Sequence, residues 1–230
     1  MRESDLSERK IELTADGSAT IYLPRLDEHY HSVKGAMAEA RHVYVGCGLH
    51  NCPKSQVRVL EVGFGTGLSA TATALDTGGR KVDYFSLELY PLPYRELAAS
   101  GYFDSLEGDA RLLMERVNQA EWGKAVAITP DFTIHKLLCD ITDPSALLPQ
   151  GIDVVYFDAF APEKQPEMWS EEIFRRLSHA MNPGATLTTY CAKGVVRRLL
   201  QSLGFTTSRL PGPPGGKREI LRATLPAVGS

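Results

Sequence analysis

The chain reads as an α/β fold: a mostly parallel sheet covered by helices on both faces, an antiparallel hairpin at one edge, and a small N-terminal extension. Three features of the sequence lead there. Between 57 and 203, apolar runs of strand length alternate with helical segments at crossover spacing, the pattern of parallel strands joined by helices. The first of those strands, 57–62, runs straight into Gly63-Phe64-Gly65-Thr66-Gly67 before a helix begins, where open sheets bind ligands. Only the loop 211–216 separates the last two strands, which is too short for a crossover, so they should pair antiparallel.

Taken in order, residues 9–14 and 18–23 alternate apolar and polar side chains around Asp16-Gly17, the signature of a hairpin. A helix is expected over 34–44, closed by Gly46-Cys47-Gly48. The strand 57–62 follows, then a small-residue helix over 67–76 and a strand over 81–89. Residues 91–100 read as a helix stopped by Gly101, a suitable left-handed cap. A helix with one apolar face spans 106–120, and strands are expected at 133–139 and 152–157. Ser170 has the side chain of an N-cap. Glu171 and Glu172 in the first turn, with Arg175 and Arg176 after them, suit the helix dipole. A strand over 185–190, a helix over 194–203 and the terminal pair 205–210 and 218–224 complete the order. The division expected is an extension of hairpin and helix, 1–53, ahead of a principal domain, 54–230.

Composition narrows the class. Hydrophobic residues at 43% and charged residues at 23% exclude a disordered chain. No apolar run reaches the ~20 residues of a membrane span, and the first ten residues are too polar for a secretory signal. Four cysteines, Cys47, Cys52, Cys139 and Cys191, are too few for a disulfide scaffold, so the expectation is a cytoplasmic protein without a membrane partner. The net charge of −3 hides an asymmetry: from Cys191 onward seven basic residues face one acid, giving +6 against −9 for the rest. That split suggests an anionic partner for the C-terminal segment.

The glycine loop departs from the dinucleotide fingerprint, which would need a third glycine at 68, where Leu68 stands. It has no phosphate-loop lysine, and Glu61 just before it would repel a pyrophosphate. An acid there suits a ligand with a cationic end and no phosphate, and S-adenosylmethionine has an ammonium and a sulfonium. Glu88, closing the next strand, is placed to take both hydroxyls of a ribose. Asp140, after the strand 133–139, is placed to meet the adenine. Gly63, Gly65 and Gly67 with Glu61, Glu88 and Asp140 therefore form the candidate cofactor site. Further on, the strand 152–157 delivers Asp158 into a turn holding Phe160 and Pro162. Methylating an amine needs a neutral lone pair aimed at the methyl carbon. A carboxylate can orient the N–H bonds and stabilise the charge that develops, and an aromatic face favours the cation. Asp158 and Phe160 are the candidate catalytic pair.

The segments LEVGFGTGLS, FSLELYPL, FDAFAPEKQPEMWSEEIF and TLTTYCAKGVVRRLLQSLGF followed by GGKREIL resemble the tRNA 5-aminomethyl-2-thiouridine methyltransferase family. That family comprises the methyltransferase half of the bifunctional MnmC enzymes and the stand-alone MnmD form. The likeness runs from about Leu26 to Leu221, and the string from Asp158 to Trp169 is its most distinctive part. The resemblance implies a Rossmann-like class I methyltransferase sheet of seven strands, with 54–230 as the methyltransferase domain. It implies N-methylation of 5-aminomethyl-2-thiouridine at the tRNA wobble position, and a nucleic-acid side lined by Lys164, Trp169, Lys193, Arg197, Arg198, Lys217 and Arg218. Asp27, Tyr30, His31, Ser32, Gly35 and Glu39 resemble the family's N-terminal lead-in. Gly46-Cys47-Gly48-Leu49 stands where the family has glycine–asparagine–x–leucine. No counterpart of the family's flavin-dependent oxidase half is found in these residues, so such a step is expected of a separate protein. A small-molecule or protein methyltransferase on the same scaffold is the alternative, and a catalytically silent module that binds tRNA or a partner through its C-terminal segment is a third.

Cys47, His50 and Cys52 have a metal-like spacing, but structural zinc needs four ligands and no second pair follows, so no metal is expected. Cys191 has no clear His partner for nucleophilic catalysis. Trp122 reads as a packing residue.

Overall fold

The computed structural model describes residues 8–227. Most of the polar N-terminal stretch weighed as a signal therefore lies outside the described residues. The chain opens with a three-stranded antiparallel sheet of β1 (Lys10–Leu13), β2 (Ala19–Leu23) and β3 (Glu28–His29). The expected hairpin is present, registered from Lys10↔Tyr22 to Leu13↔Ala19. Asp16 closes its turn: Oδ1 accepts from the Ser18 N–H at 3.1 Å, and Oδ2 from the Ala38 N–H at 2.8 Å. The second bond ties the hairpin to α1 (Ala36–Glu39), which continues as a π-helix over Ala40–Gly46.

The principal sheet is built from β4 (Gln56–Val62), α2 (Leu68–Leu75), β5 (Lys81–Glu88), α3 (Tyr94–Ala99), α4 (Gly108–Gln119), β6 (Ala125–Thr129) and β7 (Phe132–Leu138). It continues through β8 (Ile152–Phe157), α5 (Glu171–Ala180), β9 (Met181–Thr189), α6 (Gly194–Ser202), β10 (Thr206–Pro211) and β11 (Glu219–Thr224). The strand order is β10-β11-β9-β8-β4-β5-β7-β6. The five central strands run parallel, and β11 and β10 close one edge antiparallel, as the sequence indicates. Ser170 caps α5 as expected, its side chain accepting from the Ile173 N–H.

Two expectations need correction. Eight strands form the sheet rather than seven, because Ala125–Thr129 folds back antiparallel on β7 as an added edge. Cover by helices on both faces is incomplete, because 139–151, between β7 and β8, forms turns instead of a crossover helix. The exposed part of that face carries Arg58 and Asp83 with His135, whose Nε2–H donates to Asp83 Oδ1 at 2.6 Å and whose ring stacks on Phe85.

Two apolar clusters flank the sheet. On one face Val57, Val59, Val82, Tyr84, Val154 and Tyr156 pack with residues of α1, α2 and α4. On the other, Leu60, Val62, Phe85, Leu87, Val155 and Phe157 pack with α5 and α6. Ala19, Ile21 and Leu23 of the N-terminal sheet belong to the first cluster, so the expected extension shares the core of the principal domain. The in-register ends of β4, β5 and β8 bring Val62, Leu87 and Phe157 side by side, placing the three following loops around one opening.

Candidate active site

That opening is a cavity of about 890 Å³, walled by the loops after β4, β5, β7, β8 and β9 and by the N-terminal residues 28–34 and Glu39. The glycine loop forms its floor. Gly63 has φ +95°, and a Cβ there would stand 2.7 Å from the Asp158 carbonyl oxygen, so β4 and β8 approach closely only without a side chain. Gly65 also has a positive φ, and a Cβ there would come within 3.0 Å of the Tyr30 ring. Gly67 is not at the cavity: it is the left-handed entry residue of α2, beneath Phe64.

Glu88 closes β5 and faces the cavity. Its Oε2 accepts from the Gly65 N–H at 3.0 Å and its Oε1 from the Tyr90 N–H at 2.8 Å, which ties the glycine loop to the next strand. A carboxylate has about four acceptor positions, so both oxygens retain capacity for ribose hydroxyls. Asp140 also lines the cavity, its Oδ1 accepting from the Thr142 N–H at 2.9 Å and hydroxyl at 2.6 Å. Glu88, Asp140, Gly63 and Gly65 line the same cavity, and two carboxylate acceptors suit the hydroxyls and amino group of a nucleoside.

Glu61 corrects the sequence reading. It is 1% exposed and absent from the cavity wall, with Oε2 accepting from the Ser86 hydroxyl at 2.5 Å. Burial pushes its carboxyl well above the usual range, and its place off the cavity wall keeps it from facing a cationic ligand there. It braces the strand end from below.

Asp158 and Phe160 line the same cavity from the loop after β8, on the other side of β4 from Glu88. The Asp158 N–H donates to the Val62 carbonyl at 3.0 Å, and its Oδ1 accepts from the Tyr44 hydroxyl at 2.5 Å. Burial pushes this carboxyl up to about 7, with Glu39 adding to the rise and the Tyr44 bond and Lys217 opposing it. Phe160 meets Tyr30 edge to face at 5.3 Å between centroids. Tyr44 was missed by the sequence reading, because nothing in the pattern 34–44 marks a π-helix. In an α-helix residues five apart are about 1.4 turns apart. The wider π turn, with its i→i+5 bonds, brings Glu39 and Tyr44 toward the same side, and both act on Asp158.

The proposed nucleic-acid residues separate into groups. Trp169 is a correction: it is 7% exposed, packed on Phe157 and Phe174, and donates its indole N–H to the Phe160 carbonyl at 2.8 Å. It holds the catalytic turn and offers no face to a base. Lys193 and Lys217 line the cavity itself, paired with Glu163 and Glu39. Lys164 and Arg197 are half-buried, while Arg198 and Arg218 are exposed. Among the metal-like residues, Cys52 is buried, His50 pairs with Asp76 at 3.2 Å and Cys47 lies 4.0 Å from His42. Trp122 packs edge-on to Phe64, behind the glycine loop.

A parallel sheet of this order, with a phosphate-free glycine loop and acids at the following strand ends, defines a class I S-adenosylmethionine-dependent methyltransferase. The chain belongs to the S-adenosyl-L-methionine-dependent methyltransferase family whose model matches residues 107–226. It is 35% identical over 231 residues to the tRNA 5-methylaminomethyl-2-thiouridine biosynthesis bifunctional protein MnmC of Cupriavidus metallidurans, covering 94% of this chain and 34% of that protein. The corresponding protein of Ralstonia nicotianae is 33% identical, with 94% and 34% covered. The chain thus spans about a third of the length of these curated relatives. The crystal structure of MNMC2 from Aquifex aeolicus superposes with a TM-score of 0.73 at 26% identity, covering 96% of this chain and 72% of that one. Spermidine synthase from Thermotoga maritima, at 14% identity and a TM-score of 0.58, shares the fold.

Proposed function

We propose that this protein methylates the 5-aminomethyl group of (2-thio)uridine at the tRNA wobble position, with S-adenosylmethionine as methyl donor. The observation that carries the reading is Asp158, a carboxyl pushed up to about 7 that lines the cavity with Phe160, on the other side of β4 from Glu88 and Asp140. Similarity along almost the whole chain to proteins named for 5-methylaminomethyl-2-thiouridine biosynthesis supports the same reading.

Gly63, Gly65, Glu88 and Asp140 would hold the cofactor: glycine backbone beneath it, Glu88 on the ribose and Asp140 at the adenine. When bound, S-adenosylmethionine supplies an electrophilic methyl group on a sulfonium. Asp158 accepts a proton or a hydrogen bond from the substrate amine, leaving the nitrogen lone pair free, and then stabilises the charge developing on nitrogen. Phe160 presents an aromatic ring to that cation. Lys164, Lys193, Arg197, Arg198 and Arg218 would meet tRNA phosphates around the mouth, with the uridine extruded toward Asp158. A cytoplasmic location accords with this substrate, and no helix among the described residues is long and apolar enough to cross a membrane.

Labelled S-adenosylmethionine incubated with the protein and either tRNA, small primary amines or a protein extract tests the proposal. Label in tRNA alone is the expected result. Label in small amines or protein but not in tRNA would replace it with the alternative on the same scaffold.

A further inference from the structure

One buried group of the cavity so far acts only through its effect on Asp158. Glu39 lines the cavity and is 8% exposed. Its Oε2 accepts from the Ser32 N–H at 3.2 Å, whereas the buried Oε1 has no hydrogen-bond partner. Lys217 Nζ stands 3.8 Å from Oε1, beyond hydrogen-bonding range, and 3.5 Å from the centroid of the Tyr190 ring. Tyr190 is itself fixed, its hydroxyl donating to the carbonyl of Ala159, next to Asp158, at 2.9 Å. A buried carboxylate oxygen without a hydrogen-bond partner and a nearby aromatic ring suit a nitrogen bearing N–H bonds, and here a lysine ammonium of the chain stands close to both.

We infer that Glu39 is a second amine-positioning residue: Asp158 takes one N–H of the substrate amine, Glu39 Oε1 takes the other, and Lys217 occupies that place on the Tyr190 ring until substrate enters. The inference rests on the proposed amine-methylating function. A neutral primary amine has two N–H bonds and one lone pair. With both N–H bonds held by carboxylates, the lone pair has one direction left, toward the methyl carbon. The new C–N bond forms as the C–S bond breaks, the bonding pair stays on sulfur as a neutral thioether, and nitrogen takes the positive charge. The product cation still has two N–H bonds, one for each carboxylate. A second methylation needs that cation to lose a proton to solvent. The neutral secondary amine then has one N–H bond, and aiming its lone pair at the donor turns the first methyl group against Glu39 or Asp158, leaving that carboxylate buried and unpaired. Glu39 thereby limits transfer to one methyl group.

The test compares wild-type protein with Glu39→Gln on two substrates: tRNA bearing the primary aminomethyl group, and tRNA already bearing its monomethyl form. Products are resolved by nucleoside mass spectrometry. Glutamine keeps an oxygen for the Ser32 N–H, so the local fold is retained, but it lacks the charge. The ratio of rates, primary over monomethylated, should collapse by about tenfold or more, the scale of one charge-assisted hydrogen bond. S-adenosylmethionine affinity by calorimetry should stay within about twofold of wild type, because the Glu88 end of the cavity is untouched. Glu39→Asp, which retains the charge, should recover part of the ratio and serves as the second variant should Gln prove unstable. An unchanged ratio overturns the inference, as does a loss traced wholly to cofactor affinity. Wild-type protein inactive on the primary-amine tRNA would instead refute the proposed function, so the two failures are distinguishable.

Discussion

At Asp158, burial and Glu39 favour the neutral acid, while the Tyr44 hydroxyl and Lys217 favour the carboxylate, and the balance lies at about 7. The reaction needs the carboxylate, so activity belongs to the deprotonated form: kcat/KM should fall as pH drops through about 7, on a single-proton limb. Removing the Tyr44 bond withdraws stabilisation of the charged form and must raise the carboxyl further. Tyr44→Phe should therefore move that limb to higher pH, and an unmoved or lowered midpoint in the pH profile would remove Tyr44 from the site's electrostatics. Asp158→Asn should bind S-adenosylmethionine with near wild-type affinity by calorimetry and lose turnover, and near-normal turnover would remove Asp158 from catalysis. Asp158, Phe160 and Glu88 were legible in the sequence because a strand end fixes where its next side chain points. Tyr44 was not, since it reaches Asp158 across a tertiary contact that no local pattern encodes, and Lys217 was read for nucleic acid whereas it lines the cavity beside Glu39. Trp169 was misplaced because a tryptophan in a polar loop with prolines has the same composition whether it stacks on a base or packs on Phe157.

Among the elements, the glycine loop and the strand ends it links govern cofactor binding. Gly63→Ala would put a Cβ at 2.7 Å from the Asp158 carbonyl oxygen on a backbone with φ +95°, and neither can yield without moving β4 from β8. Strain of this kind is about 1–3 kcal/mol. The variant should lose that much stability in denaturant melts and bind S-adenosylmethionine at least about tenfold more weakly. Wild-type stability and affinity would show that the two strand ends are not in contact. Glu88→Ala removes the acceptor for the Gly65 and Tyr90 N–H groups as well as the ribose partner. Calorimetry should record a loss on the order of 1.5–3 kcal/mol in cofactor binding, and unchanged affinity would refute the ribose assignment. The parallel strands, the capped helix after Ser170 and the terminal hairpin could be read from apolar runs and turn residues. The edge strand Ala125–Thr129 could not, because two of its five side chains are exposed alanines and its pairing with β7 supplies the order. The absent helix in 139–151 was concealed by the crossover rule itself: β7 and β8 are not neighbours in the sheet, so nothing obliges their connection to be helical.

Over the whole molecule the charge divides between an acidic body and a basic C-terminal segment of +6, and the structure turns part of that segment inward. Lys217 pairs with Glu39 and Lys193 with Glu163, so among the candidates for phosphate contact Arg197, Arg198 and Arg218 make the cleaner test. Replacing these three with Ala should weaken tRNA binding and flatten the slope of log affinity against log salt by about two units if all touch phosphate. Cofactor affinity should hardly change. An unaltered slope would mean that the basic segment is a solvated face. The central claim, methyl transfer to a wobble-uridine amine at Asp158, is tested most directly by nucleoside mass spectrometry. The purified protein is incubated with labelled S-adenosylmethionine and tRNA from cells lacking it, beside Asp158→Asn. The account expects 5-aminomethyl-(2-thio)uridine to be consumed and its labelled N-methyl product to appear with wild type and not with the variant. Label at any other nucleoside, or equal product from Asp158→Asn, would contradict it.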